Sequence, residues 1–215
     1  MELLSRRSTH RISWLFAGVV TCLVIAALMV PKGEDVLWIN GNHHPSLDLF
    51  FSVATHLGEG WVFLPFMLFY IRSNGWFSLV LGASLFAQGI LCSVLKRQIF
   101  SYLTRPATML DHSLLHFVPG VDVHSNYSFP SGHTATAFCL AFTLSLLARR
   151  WQVTLLAMTM SLIVGYSRIY LLQHYLMDVA AGAAVGLLSA LLIWNFFKPL
   201  DRTGSGMWRP PILQP

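Results

Sequence analysis

Residues 167–178 read Ser-Arg-Ile-Tyr-Leu-Leu-Gln-His-Tyr-Leu-Met-Asp. The stretch lies where one apolar run ends and the next begins, and it carries Arg168, His174 and Asp178. Asp178 follows His174 by four residues, so on a helix the two share a face. A carboxylate placed there takes a proton from one imidazole nitrogen and fixes the tautomer. The other nitrogen is left as a nucleophile or base. Arg168 adds a permanent planar cation whose donors match a phosphate. Ionisable groups beside apolar runs of membrane length are expensive to keep and point to function.

The composition around this stretch is that of a membrane protein. Of 215 residues, 55% are hydrophobic and 11% charged, and mean hydropathy is +0.60. Soluble domains carry about 25% charged residues. The expectation is an all-α integral membrane bundle of about six transmembrane helices in a single domain over residues 1–200. The spans fall at 13–30, 61–71, 76–95, 132–148, 153–172 and 178–197. Residues 61–71 are too few to cross alone, and Pro65 is positioned to kink them. Residues 31–46 read as a polar loop turning at Asn40-Gly41-Asn42. Leu47, Phe50, Phe51 and Ala54 then repeat at helical spacing, which predicts an amphipathic helix at the interface or leading into the second span. A hydrophilic loop covers 98–130. Residues 201–215, with Gly204, Gly206, Pro210, Pro211 and Pro215, have the composition of a disordered tail.

Arg6, Arg7 and Arg11 precede the first run, which is long and has no small-residue cleavage site after it, so it reads as a retained span. Cys22, Cys92 and Cys139 each sit inside an apolar run and read as small core residues. The net charge of +5 comes from clusters that flank the membrane, which argues against a nucleic-acid partner. Six spans put both termini on one side. That side takes Arg6, Arg7, Arg11, Arg72, Arg149, Arg150, Lys198, Arg202 and Arg209. The other takes Lys32, Lys96, Arg97, Arg105 and Arg168. The bias places the termini in the cytoplasm and residues 167–178 on the extracytoplasmic face.

Two further blocks fall on that face: Lys96-Arg97 through Arg105-Pro106, and Pro130-Ser131-Gly132-His133. Lys96 or Arg97, Arg105 and Arg168 supply counter-charge for a phosphate, whose transfer spreads negative charge over its equatorial oxygens. Ser131, Gly132 and His133 open a helix, where free backbone N–H groups suit an anion, and Gly132 lets the anion approach the backbone.

Together the blocks resemble the type-2 phosphatidic acid phosphatase superfamily, which also includes the vanadium haloperoxidases. The family signature is Lys, six residues, Arg-Pro; then Pro-Ser-Gly-His; then Ser-Arg, five residues, His, three residues, Asp. The second and third blocks match at every fixed position, and the resemblance covers about residues 90–195. The first block departs: eight residues separate Lys96 from Arg105, and seven separate Arg97 from Arg105. Either the helix breaks before Arg105 and Lys96 is the ligand, or Arg97 replaces it. The resemblance implies a two-step reaction. His174, oriented by Asp178, attacks phosphorus; His133 protonates the leaving oxygen and then activates water. Lys96, Arg97, Arg105, Ser131, Gly132 and Arg168 bind the phosphate, with no metal and no cofactor.

A site at a membrane face suits a phosphate on an amphiphile. The expected substrate is a lipid phosphate in the outer leaflet of a bacterial cytoplasmic membrane. Candidates are undecaprenyl diphosphate, phosphatidic acid, phosphatidylglycerol phosphate or a lipid A phosphate. Phosphotransfer to a second lipid would use the same phosphohistidine, and a non-catalytic lipid-binding or transport protein would lack one of the histidines. The haloperoxidases are soluble, unlike this composition. His112, His116 and His124, with Asp111 and Asp122, match no metal-ligand frame and read as solvated loop residues. Tyr127 and Phe129 either pack on a headgroup or hold the loop down.

Overall fold

A computed structural model describes residues 2–202, and every regular element among them is helical. Helix α1 (Glu2–Met29) is followed by α2 (Glu34–Gly41) and α3 (Pro45–Ala54). Two 3₁₀ turns, Thr55–Gly58 and Gly60–Val62, lead into α4 (Phe63–Ser73), and α5 (Gly75–Val94) continues as a π-helical turn over Leu95–Ile99. The long loop contains only the short α6 (Pro106–Met109) and a 3₁₀ turn at His112–Leu114. Helices α7 (Gly132–Ala148), α8 (Trp151–Tyr170) and α9 (Leu176–Arg202) complete the described chain.

Among the described residues, four segments are long and apolar enough to cross a membrane: Thr9–Met29, Gly75–Ile99, Trp151–Tyr170 and Leu176–Phe197. Gly60–Arg72 and Gly132–Ala148 are shorter apolar helices. The protein is therefore an integral membrane protein, with four full-length spans where the sequence predicts about six.

The centre of the bundle is α7, in which every residue from Thr134 to Leu147 is buried. It packs against α9, α8 and α5. A helix buried on all sides needs no polar face, and its polar side chains must bond internally. Thr143 donates to the Cys139 carbonyl at 2.8 Å and Ser145 to the Ala141 carbonyl at 2.7 Å. Gly182 and Gly186, one turn apart on α9, let the two backbones meet. A Cβ at Gly182 would lie 2.4 Å from the Ser131 carbonyl oxygen, and one at Gly186 would lie 2.3 Å from that of Ala135. Small residues at this spacing permit close helix packing in a membrane. The Phe16 ring of α1 closes the far side, edge-on to Phe142 at 5.2 Å.

Several expectations are corrected. Residues 34–41 form α2 and do not stay a polar loop. Tertiary partners stabilise the helix: Asp35 accepts from the backbone N–H of Gly33 and of Leu176, and Asn40 donates to the carbonyls of His116 and Tyr170. On α3, Phe51 and Ala54 are buried as the spacing predicts, but Leu47 and Phe50 are exposed. Pro65 falls in the first turn of α4, where its missing N–H breaks no intrahelical bond, so it makes no mid-helix kink. Cys22 is exposed on α1, while Cys92 and Cys139 are buried. Helix α9 runs on to Arg202, past the predicted end at 197. The predicted disordered tail lies, from residue 203 on, outside the described residues.

Candidate active site

The site is built at one end of α5, α7, α8 and α9. Helix α8 ends at Tyr170, and the chain turns sharply through Leu172, whose φ is 59°. The N–H groups of Gln173 and His174 both donate to the Arg168 carbonyl, at 2.9 and 3.1 Å. This turn carries His174 into a fully buried position, 1% exposed. Asp178 lies in the first turn of α9, and its Oδ2 is 3.3 Å from His174 Nδ1. The same oxygen accepts from the Tyr175 backbone N–H at 3.0 Å and from the Ser128 hydroxyl. The carboxylate is thus held by three donors and cannot swing away from the imidazole.

The Pro-Ser-Gly-His block is tied directly to this pair, because the Ser131 N–H donates to the Asp178 carbonyl at 2.9 Å. The buried Ser131 caps α7 by accepting from the Thr134 N–H at 3.4 Å, as Ser at an N-cap does. A Cβ on Gly132 would enter open space, so the backbone there is approachable. His133 is half-buried and has Arg168, His174, Glu59 and Lys96 as electrostatic neighbours.

Arg105 is buried and reaches the site through its neighbour Pro106. A residue before proline is pushed to extended backbone, and Arg105 has φ −82° and ψ 163°. Its backbone N–H donates to the Ser125 carbonyl at 2.9 Å, its Nε to the Asn126 carbonyl at 3.0 Å and its Nη1 to Gln173 Oε1 at 2.5 Å. Gln173 is braced by donating to the Asp122 carbonyl at 2.9 Å. Arg168 is also buried; its Nη1 donates to Thr55 Oγ1 at 2.7 Å. Its buried Nε has no hydrogen-bond partner among the described residues. Buried donors are almost always paired, so this orphan is available to an incoming acceptor.

In the first block the α-helix gives way to the π turn at Leu95, and the backbone from Phe100 to Arg105 is not helical. Lys96 is half-buried, with Arg105, Arg168 and Asp178 as electrostatic neighbours. Arg97, the next residue round the turn, is exposed and lies outside this cluster. The structure thus gathers Lys96, Arg105, Ser131, Gly132, His133, Arg168, His174 and Asp178, and leaves Arg97 out.

Burial drives the pKa of His174 well below the ordinary imidazole value, and the positive fields of Arg105, Arg168 and Lys96 push it further the same way. The ring is therefore neutral at pH 7. Donation from Nδ1 to Asp178 would leave the lone pair on Nε2, the state a nitrogen nucleophile requires.

The loop histidines go elsewhere. His116 Nε2 lies 2.9 Å from Asp48 Oδ2, and its ring stacks on His43 at 3.7 Å. Burial alone would raise the Asp48 pKa, but the hydrogen bonds from Tyr170 and His116 hold it below the usual carboxylate range. His112 Nε2 lies 2.7 Å from the Ala107 carbonyl oxygen. Phe129 packs edge-on to Phe100 at 4.8 Å and holds the loop, while Tyr127 is exposed.

Sequence reasoning missed Thr55, Gly58, Ser128 and Gln173. Ser128 and Gln173 sit beside the motifs, and their nearness to Pro130 and His174 was the available signal. Thr55 and Gly58 carry none, since they are more than seventy residues from the groups they meet.

A histidine–carboxylate pair surrounded by three cations at one end of a membrane helix bundle defines a phosphate-handling membrane protein. The chain belongs to the PAP2 superfamily, whose profile matches residues 77–202. It is 30% identical over 173 residues to phosphatidylglycerophosphatase B of Bacillus subtilis, covering 74% of this chain and 79% of that one. It is 29% identical over 168 residues to a lipid A 4'-phosphatase of Porphyromonas gingivalis, covering 75% and 70% of the two chains. The crystal structure of LpxE from Aquifex aeolicus superposes with a TM-score of 0.68 at 29% identity, over 76% of this chain and 94% of that one.

Proposed function

We propose that this protein hydrolyses the phosphate ester or diphosphate of a membrane lipid through a phosphohistidine. One observation carries the reading. A buried, neutral His174 is oriented by Asp178 through Nδ1, beside an Arg168 whose buried Nε is unpaired. A phosphoryl group seated on Arg168, Arg105, Lys96 and the backbone N–H groups at Gly132 and His133 would face His174 Nε2. In the first step a P–N bond forms, the P–O bond to the lipid breaks, and His133 donates its proton to the departing oxygen. In the second step water attacks phosphorus, His133 takes its proton, the P–N bond to His174 breaks, and inorganic phosphate leaves. The cations come from side chains, so no metal takes part. Lys96, and not the exposed Arg97, fills the basic role of the first block.

The short helices α4 and α7 complete six crossings, with α3 at the interface, both termini in the cytoplasm and the site facing the periplasm of a bacterial inner membrane. The charge asymmetry of the loops supports this orientation. Lipids like those named for the relatives are the substrate class: a lipid A phosphate, phosphatidylglycerol phosphate or undecaprenyl diphosphate.

The test is phosphate release from a panel of these lipids by purified protein in excess chelator, with acid-quenched samples probed for phosphohistidine. Release that survives chelator, is blocked by vanadate and is absent in His174→Ala is expected. Radiolabel appearing on a second lipid would identify a transferase, and release that needs added metal would overturn the mechanism.

A further inference from the structure

The charges about His133 include an anion that the chemistry above does not use. Arg168 and Lys96 neighbour His133 as cations, the His174 imidazole lies near, and the group of opposite sign is Glu59. Glu59 stands between the two 3₁₀ turns that join α3 to α4, at the N-cap of the second, yet its side chain makes no cap bond. It is held from the sides instead. Trp61 Nε1 donates to Glu59 Oε2 at 2.6 Å, and His56 Nδ1 lies 2.5 Å from Oε1. The hydrogen bond with His56 holds the carboxyl below the usual carboxylate range; Trp61 and His133 lower it further, against burial. Glu59 is therefore an anion at pH 7.

The backbone fixes this charge beside the site. Gly58 packs so tightly that a Cβ there would lie 2.8 Å from His133 Cβ, 2.9 Å from the His133 carbonyl oxygen and 2.7 Å from Val164 Cγ1. Three residues earlier, Thr55 accepts from Arg168 at 2.7 Å. The turn is thus pinned to α7 and α8 together, and the Glu59 Cα is one ~3.8 Å peptide step from that of Gly58. The Glu59 side chain is 35% exposed, and a partly buried charge is screened less than a free one.

We infer that Glu59 is a positioning residue for the general acid, its carboxylate keeping the proton on His133 until the leaving oxygen takes it. The inference rests on the function proposed above and adds a residue to it. The two histidines of that mechanism need opposite states, His174 neutral and His133 protonated. Both stand among cations gathered for phosphate, which oppose a further positive charge. His174 faces Arg105, Arg168 and Lys96. His133 faces Arg168 and Lys96, and Glu59 as well. A carboxylate on the side of His133 is the difference that lets one ring hold a proton while the other stays a nucleophile.

The experiment compares kcat/KM for decyl phosphate and nitrophenyl phosphate, both in the same detergent micelles with the full chain. For both substrates this constant ends at departure of the leaving group, so the shared hydrolysis of the phosphohistidine does not enter. Glu59→Gln keeps an acceptor for Trp61 and removes the charge. It is expected to lower the decyl-to-nitrophenyl ratio about tenfold at pH 7.5, because the alkoxide needs the proton and nitrophenolate hardly does. The loss should shrink as pH falls, with the basic limb of the decyl phosphate profile moved about one unit lower. Glu59→Asp, which keeps the charge, should restore the ratio. Equal loss on both substrates at every pH, or a ratio that Glu59→Asp does not restore, would mean a structural role and overturn the inference. Should Glu59→Gln not fold, reciprocity supplies the test. The chain has only three glutamates, Glu2, Glu34 and Glu59, so the Glu59 carboxyl can be followed in ¹³C spectra. Its midpoint should rise in His133→Ala, and an unmoved midpoint overturns the inference. Normal phosphate release by the natural protein with a ratio unmoved in Glu59→Gln overturns the role of Glu59 alone. Release from neither substrate overturns the phosphatase reading and this inference with it.

Discussion

Two regions meet at the candidate site by different routes. Helices α7 to α9 deliver His133, Arg168, His174 and Asp178 at fixed spacings in the chain. The segment from Gly33 to Val62 delivers Thr55 to Arg168 and lays Gly58 against His133, with no motif at all. The first region places the groups proposed to exchange protons and bonds, and the geometry such chemistry needs is set within one or two helical turns. The second supplies acceptors and shape, a role many sequences can fill once the backbone passes at the right distance. Substitutions in the first region should therefore abolish chemistry, and substitutions in the second should weaken it by degrees.

The largest effect is expected at His174. His174→Ala should lower turnover by about 10⁴-fold or more, the scale seen when a nucleophile is removed, with no burst of nitrophenol from nitrophenyl phosphate. His133→Ala should lose roughly 10²–10⁴-fold on an alkyl phosphate yet keep a burst and accumulate phosphohistidine, because nitrophenolate needs little protonation. Equal loss on both substrates in the first step would break the division of roles.

Next is the joint between the two motif helices. Gly182→Ala would set a Cβ 2.4 Å from the Ser131 carbonyl oxygen, and backbone there cannot yield as a side chain would. Overpacking of this kind costs about 1–3 kcal/mol. Thermal unfolding in detergent should show the loss, together with reduced activity as Ser131 is displaced from Asp178. A variant as stable and active as the natural protein would show that α7 and α9 do not set the site.

Thr55→Val sharpens the comparison. It keeps the shape but removes the acceptor of Arg168 Nη1. An unsatisfied buried donor costs about 1–3 kcal/mol, so vanadate should bind roughly ten- to a hundredfold more weakly, with the phosphoenzyme still formed. Total loss of the burst would move Thr55 into the same class as His174.

The smallest effect is one of titration. Burial and three cations disfavour the imidazolium of His174, so its pKa lies below the ordinary range and the ring stays neutral as pH falls through 6.5. In ¹⁵N-histidine spectra its signal should keep the neutral pattern at pH 6. A midpoint near 6.5 would contradict the sealed environment.

The sequence by itself determined the membrane class, the boundaries of most long helices and the motif residues. Hydrophobic runs report their own burial, and residues four apart on a helix meet whatever else the protein does. His174 and Asp178 were legible for that reason. The placement of Lys96 near Arg105 with Arg97 turned outward was not, because it depends on where α5 loosens into a π turn. Helix α2 was hidden as well: its polar residues look like a loop until Asp35 finds the Leu176 N–H and Asn40 finds two carbonyls more than seventy residues away. The brace of Arg105 by Gln173 and the seat of Arg168 on Thr55 were decided only by the tertiary structure. Each depends on the distance between segments far apart in the chain, 68 residues for Arg105 and Gln173 and 113 for Thr55 and Arg168, which no local spacing fixes.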